Sequence, residues 1–130
     1  MSTSKISITV VSGSLERLQM AAMVASVGAV SGNEVSILLS MNALPYFIKG
    51  SDSNAPPEGP FGEAMSNKNV PRFKNLFESA VELGDARIYP CSMAMDMLDV
   101  EVEDLESYLS EPLGLTKFIS VSADSQIWTF

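Results

Sequence analysis

The chain has no histidine and one cysteine among its 130 residues, and its 8 lysines and arginines are outnumbered by 16 aspartates and glutamates. Without histidine, the commonest general base and the commonest transition-metal ligand are both missing, which excludes histidine-dependent triads, zincin centres and two-histidine iron sites. One cysteine cannot build an intrachain disulfide framework, so a secreted scaffold is not expected. A net charge of −8 leaves no basic stripe for phosphate backbones or anionic lipid, and nucleic acid is not an expected partner. Long apolar runs are also missing. The longest, Met20 to Val30, is interrupted by Ser26 and falls short of the roughly 17 to 25 residues needed to span a bilayer, so no membrane span is expected. Met1 to Lys5 lack the charged and apolar regions of a signal peptide, and the protein reads as cytoplasmic.

What remains, 46% hydrophobic and 18% charged residues, suffices for one globular domain with its own core over residues 1–130. Lys5 to Val11, KISITVV, alternates β-branched residues as a strand does, and the Ser12-Gly13-Ser14 turn with its capping hydroxyls leads into a helix from about Leu15 to Ser31. That helix is apolar on almost every side, so protein should enclose more than one of its faces, a second subunit among the candidates. Gly32-Asn33 closes it, and EVSILLS at 34–40 has the continuous apolar pattern of a parallel strand covered by helices. Residues 51–69, crowded with proline, glycine, serine and asparagine, read as a long mobile loop. Phe73, Leu76, Phe77, Ala80 and Val81 share one helical face until Gly84. A third strand follows at 85–91, helical spacing at 102–110, a fourth strand at 115–123 and a fifth at QIWTF. The expected fold is α/β in three layers, a mostly parallel sheet of about five strands with helices on both faces.

Reactive groups in such sheets gather where loops leave the carboxyl ends of strands. Cys91, in RIYPCSMAMDML at 87–98, stands at such an end, as do Ser12, Gly13 and Ser14. If a helix begins after Cys91, its free N–H groups favour the thiolate, with Ser92 able to add a hydrogen bond. The acidic run after it (Asp96, Asp99, Glu101, Glu103, Asp104, Glu106 and Glu111) opposes the thiolate. Free cysteine is among the residues most often buried for packing alone, and on the residues by themselves that reading comes first. The Ser12-Gly13-Ser14 turn lacks the spacing of dinucleotide and phosphate cradles and reads first as a helix cap. The acidic run lacks EF-hand spacing and reads as a solvated helix face, or as the binding surface for a basic partner. Met93, Met95 and Met97 fit a core or subunit interface, or a soft partner groove. Tyr46, Phe47 and Phe61 are candidates for a lid or a subunit contact. No cofactor or metal is implied.

Three stretches carry a resemblance across nearly the whole chain: the small-residue turn in VVSGSLERLQMAAMVASVGAVSGNEVSILLS, the helix start and "ELG" in NVPRFKNLFESAVELGDARIYP, and C-S-M-x-M-D from Cys91. The sequence resembles the DsrE/DsrF-like sulfur-relay family, especially the branch labelled peroxiredoxin-like. Two positions depart from it: Asp99 stands where a glycine is expected, and the aromatic-glycine stretch after the second strand is reduced to MNALPYFIKG. The resemblance implies a homo-oligomer, trimer or hexamer, in which Cys91 accepts sulfane sulfur as a persulfide and passes it to a partner thiol, with a small sulfur-carrier protein as candidate partner. It would then be sulfurtransferase-like if active. The alternative is a non-catalytic oligomeric binding or scaffold module that recruits a partner through the loop and acidic helix. Peroxide reduction is a weaker third reading, since no second cysteine or histidine supports turnover.

Overall fold

Ile6, Ile8 and Val10 alternate with Ser7 and Thr9 along β1 (Lys5–Val10), so the strand turns one apolar and one hydroxyl-bearing edge to its two sides. The computed structural model describes residues 4–51 and 54–130. Residues 1–3, where no leader was read, and 52–53 of the expected loop lie outside the described residues. β1 pairs in parallel with β2 (Glu34–Leu39) on one side and β4 (Gln126–Thr129) on the other, and β2 pairs in parallel with β3 (Arg87–Pro90). The order is β3-β2-β1-β4.

The register sets Ile8 beside Ile37, and Ile37 beside Ile88, so one face of the sheet is a continuous aliphatic surface. α1 (Leu15–Val30) lies on that face, with Gly28 against Ile6 and Val35. α3 (Phe73–Gly84) packs alongside α1 and buries Phe73, Phe77 and Ala80, the face its periodicity predicts. Gly84 does not end α3 by a left-handed turn; that cap is Asp85, at φ 58°. Glycine is needed at 84 for another reason, because a Cβ there would stand 2.7 Å from the Ala29 carbonyl carbon of α1. The opposite face carries Ser7, Ser36, Leu38 and Tyr89, and Phe118 of α5 (Leu115–Val121) covers it with its ring 6.4 Å from that of Tyr89. The result is a three-layer α/β fold.

Four strands form instead of about five. LTKFISVSA is helical because the chain must cross from β3, at one edge, to β4 at the other, and parallel strands need a long crossover, usually a helix. Its buried residues, Phe118 and Ser122, with half-buried Val121, recur at helical spacing. The helical reading of 102–110 is also corrected: only Val102–Asp104 makes a 3₁₀ turn. Beyond it the backbone bonds to other elements, Glu106 N–H to the Phe47 carbonyl and Ser110 N–H to the Ile88 carbonyl, so tertiary partners replace helical ones. Within the segment read as a loop, Pro60–Ser66 forms a short helix, α2, with Pro60 at its start.

α1 keeps a second apolar surface. Met20, Met23, Val27 and Val30, at spacings of three and four, are all exposed, Val27 to 67%. No charged residue lies between Arg17 and Glu34.

Candidate functional site

Because all four strands are parallel, their carboxyl ends share one rim. The strand order reverses between β1 and β4, which makes the end of β1 the switch-point crevice of the sheet. Val10, Leu39 and Pro90 lie level in the register. Cys91 therefore stands at the same rim as Val11, two strands away and roughly 10 Å from it.

Cys91 joins β3 to α4 (Ser92–Leu98) and is the N-cap residue of that helix. Its N–H donates to the Leu39 carbonyl at 2.9 Å, continuing the ladder, and its carbonyl accepts the Met95 N–H at 3.0 Å. On the outer side of β3, Leu113 runs alongside: its N–H donates to the Pro90 carbonyl and its carbonyl accepts the Ser92 N–H, both at 3.0 Å. This second flank leaves Cys91 only 6% exposed. Ser92 is half-buried beside Gly114.

Ser12, Gly13 and Ser14 wall a different space, a cleft of about 520 Å³ shared with Asn42, Pro45, Tyr46, Pro56 and Pro57. Gly13 carries no side chain because a Cβ would stand 3.0 Å from the Asn42 carbonyl oxygen, and the Tyr46 hydroxyl donates to the Gly13 carbonyl at 2.9 Å. The expected side-chain cap does not form: Ser14, the N-cap residue of α1, donates its hydroxyl to Glu58 instead, and Ser12 Oγ accepts the Ser14 N–H at 3.1 Å. The 3₁₀ helix Met41–Phe47 stands between the cleft and α4, supplying Asn42, Pro45 and Tyr46 to one and packing against the other. The structure thus brings Ser12, Gly13 and Ser14 together, and Cys91 with Ser92, as two neighbouring places rather than one.

A strap, residues 56–62, forms one side of the cleft through Pro56 and Pro57. The Pro56 carbonyl accepts the Leu15 N–H at 2.9 Å, and the Glu16 carboxylate accepts the N–H groups of Glu58, Gly59 and Gly62 at 2.8, 2.9 and 3.1 Å. Arg17 Nε donates to Glu58 at 2.6 Å. The Glu58 N–H holds the Glu16 carboxyl below its ordinary value, and the Ser14 hydroxyl, then Arg17, do the same for Glu58. The reading of the residues missed Glu16, Arg17 and Glu58. Glu16 stands two positions after Ser14 in a first helical turn, which is a signal; Glu58 lies 44 residues from Ser14 and offers none. Of the aromatic candidates, Phe47 is core, Tyr46 is half-buried at the cleft and Phe61 is exposed. Among the described residues, no three acidic or thiol side chains converge to hold a metal ion, and no helix is long and apolar enough to cross a membrane.

A family model, the DsrE/DsrF/DrsH-like family, matches residues 58–130, more than half of the chain and the part holding β3, Cys91, α4 and β4. The chain belongs to that family. Two solved structures share the fold of this DsrE/DsrF/DrsH-like protein from end to end. One is MTH1491 from Methanobacterium thermoautotrophicum, titled a protein of unknown function, with TM-score 0.66 and 7% identity over 98% of this chain and 99% of that one. The other is the ychN protein from E. coli, with TM-score 0.63 and 13% identity over 97% and 99%. A search of the curated proteins finds no match.

Proposed function

We propose that this DsrE/DsrF/DrsH-like chain is a cytoplasmic sulfur-relay protein that carries sulfane sulfur on Cys91. The observation that supports it most is the place of Cys91, at the carboxyl end of β3 and the start of α4, inside the segment that the family model matches. Loading is attack of the Cys91 thiolate on the outer sulfur of a donor persulfide or polysulfide: the donor S–S bond breaks, the Cys91 S–S bond forms, and the donor leaves as a thiolate. Delivery reverses this. An acceptor thiolate takes the outer sulfur and Cys91 returns to its thiolate, so no second cysteine is needed in the chain. Burial suits the loaded state, since a covered persulfide is shielded from adventitious thiols, and exchange then requires Leu113 to part from the β3–α4 junction. The reading includes a homo-oligomer, trimer or hexamer, built on the uncharged α1 stripe, and a small sulfur-carrier protein as the acceptor.

Mass spectrometry of the intact protein after exposure to polysulfide checks this. One added sulfur on the wild type, absent from Cys91→Ser, is the expected result; an unmodified Cys91 with every donor tried ends the proposal. The 6% exposure of Cys91 favours a second reading, a non-catalytic oligomeric module in which the cysteine only packs. On that reading Cys91→Ser retains full function.

A further inference from the structure

α4 leaves Cys91 with an unusual outer surface. Ala94 and Met95 are buried inward, while Met93 and Met97, one turn apart, face out with Leu98 and, beyond the turn, Val102; Met97 is 79% exposed. Methionine side chains adapt to varied partners, and exposed apolar groups set among charges mark interaction surfaces. The charges here share one sign. Asp96, Asp99, Glu101, Glu103 and Asp104 are all exposed, and among the described residues none of them forms an ion pair. Lys49 is the neighbouring cation, its ammonium donating to the Glu103 carbonyl at 3.1 Å.

Charge decides the occupant. A second copy of this chain meeting the first through α4 would set five carboxylates against five, a like-charge cost that the α1 stripe, with no charge from 18 to 33, does not impose. The chain as a whole carries −8, so another copy is a poor complement to this face in any orientation, and a basic molecule is the better one. Resting on the carrier reading of Cys91, we infer that the surface formed by Met93, Met97, Leu98 and Val102 docks a partner protein with an apolar centre and a lysine- or arginine-rich rim, and that this partner exchanges sulfur with Cys91. The acidic rim steers its approach and hastens encounter, and the small apolar centre keeps the complex brief, as a hand-off requires.

The test is fluorescence anisotropy of the full-length protein with a labelled lysine- and leucine-rich amphipathic peptide, alongside a peptide of the same charge with serine for leucine. The leucine peptide is expected to bind, less tightly as salt rises, and more tightly than the serine peptide. Met97→Lys and Asp96→Lys, both at exposed positions, should each weaken it by about tenfold, and Leu83→Asp, on the exposed side of α3, should not. Absence of binding, or equal binding by all variants or both peptides, overturns the inference. Persulfide mass on Cys91, measured on the same proteins, separates the two ideas. Loading without peptide binding removes the docking face and leaves the carrier reading. Binding without loading removes the carrier reading, and with it the partner's role in sulfur exchange.

Discussion

Asp99 holds a left-handed backbone, φ 55° and ψ 44°, as the C-cap of α4, at the position where the family pattern expects glycine. The pattern was legible in the sequence, but the reason for the glycine was not: the Met95 carbonyl accepts the Val100 N–H across this turn, which requires a positive φ. Replacing a side chain in this conformation relieves about 1–2 kcal/mol of strain and gives back part of it to the more flexible unfolded chain. Asp99→Gly should therefore be more stable by about 0.5–1 kcal/mol in urea denaturation. Cys91 shows the opposite balance. Its place at a strand end could be read directly, while its burial depends on Leu113, a residue far along the chain that no local pattern ties to it.

At the scale of elements, period and length identified α1, α3, β1 and β2, whose apolar patterns are contained within each segment. The failures share a cause, since 102–110 and 115–123 take their form from where they must go: one pairs with the flank of β3, the other carries the crossover to β4. The α1–α3 contact makes a sharp prediction. Gly84→Ala forces the helices apart at Ala29 and should cost about 1–3 kcal/mol in thermal or urea unfolding. The strap makes another. Glu16 and Glu58 titrate below the ordinary glutamate value of 4.5 in the folded chain, so their hold is complete above that value and lost as pH falls through the lower, folded one. Protection factors against hydrogen exchange at Glu58, Gly59 and Gly62, corrected for the intrinsic pH dependence of amide exchange, should fall over that acid range in the wild type, and Glu16→Gln should lower them already at neutral pH.

For the whole molecule, the separation of surfaces matters most: an uncharged stripe on α1, and an acidic, methionine-bearing face on α4. The proposed oligomer on the α1 stripe predicts that Val27→Asp, at 67% exposure, leaves the fold intact and weakens self-association by at least about tenfold, read by light scattering against concentration. The strand order has a consequence for folding. The second neighbour of β1 carries Thr129, 120 residues beyond Thr9, to which it is hydrogen-bonded. Until β4 docks, β1 has one ladder unformed, a sticky margin that invites wrong pairing. That closure is slow because of the distance it spans, and it turns β1 from an exposed margin into an interior strand.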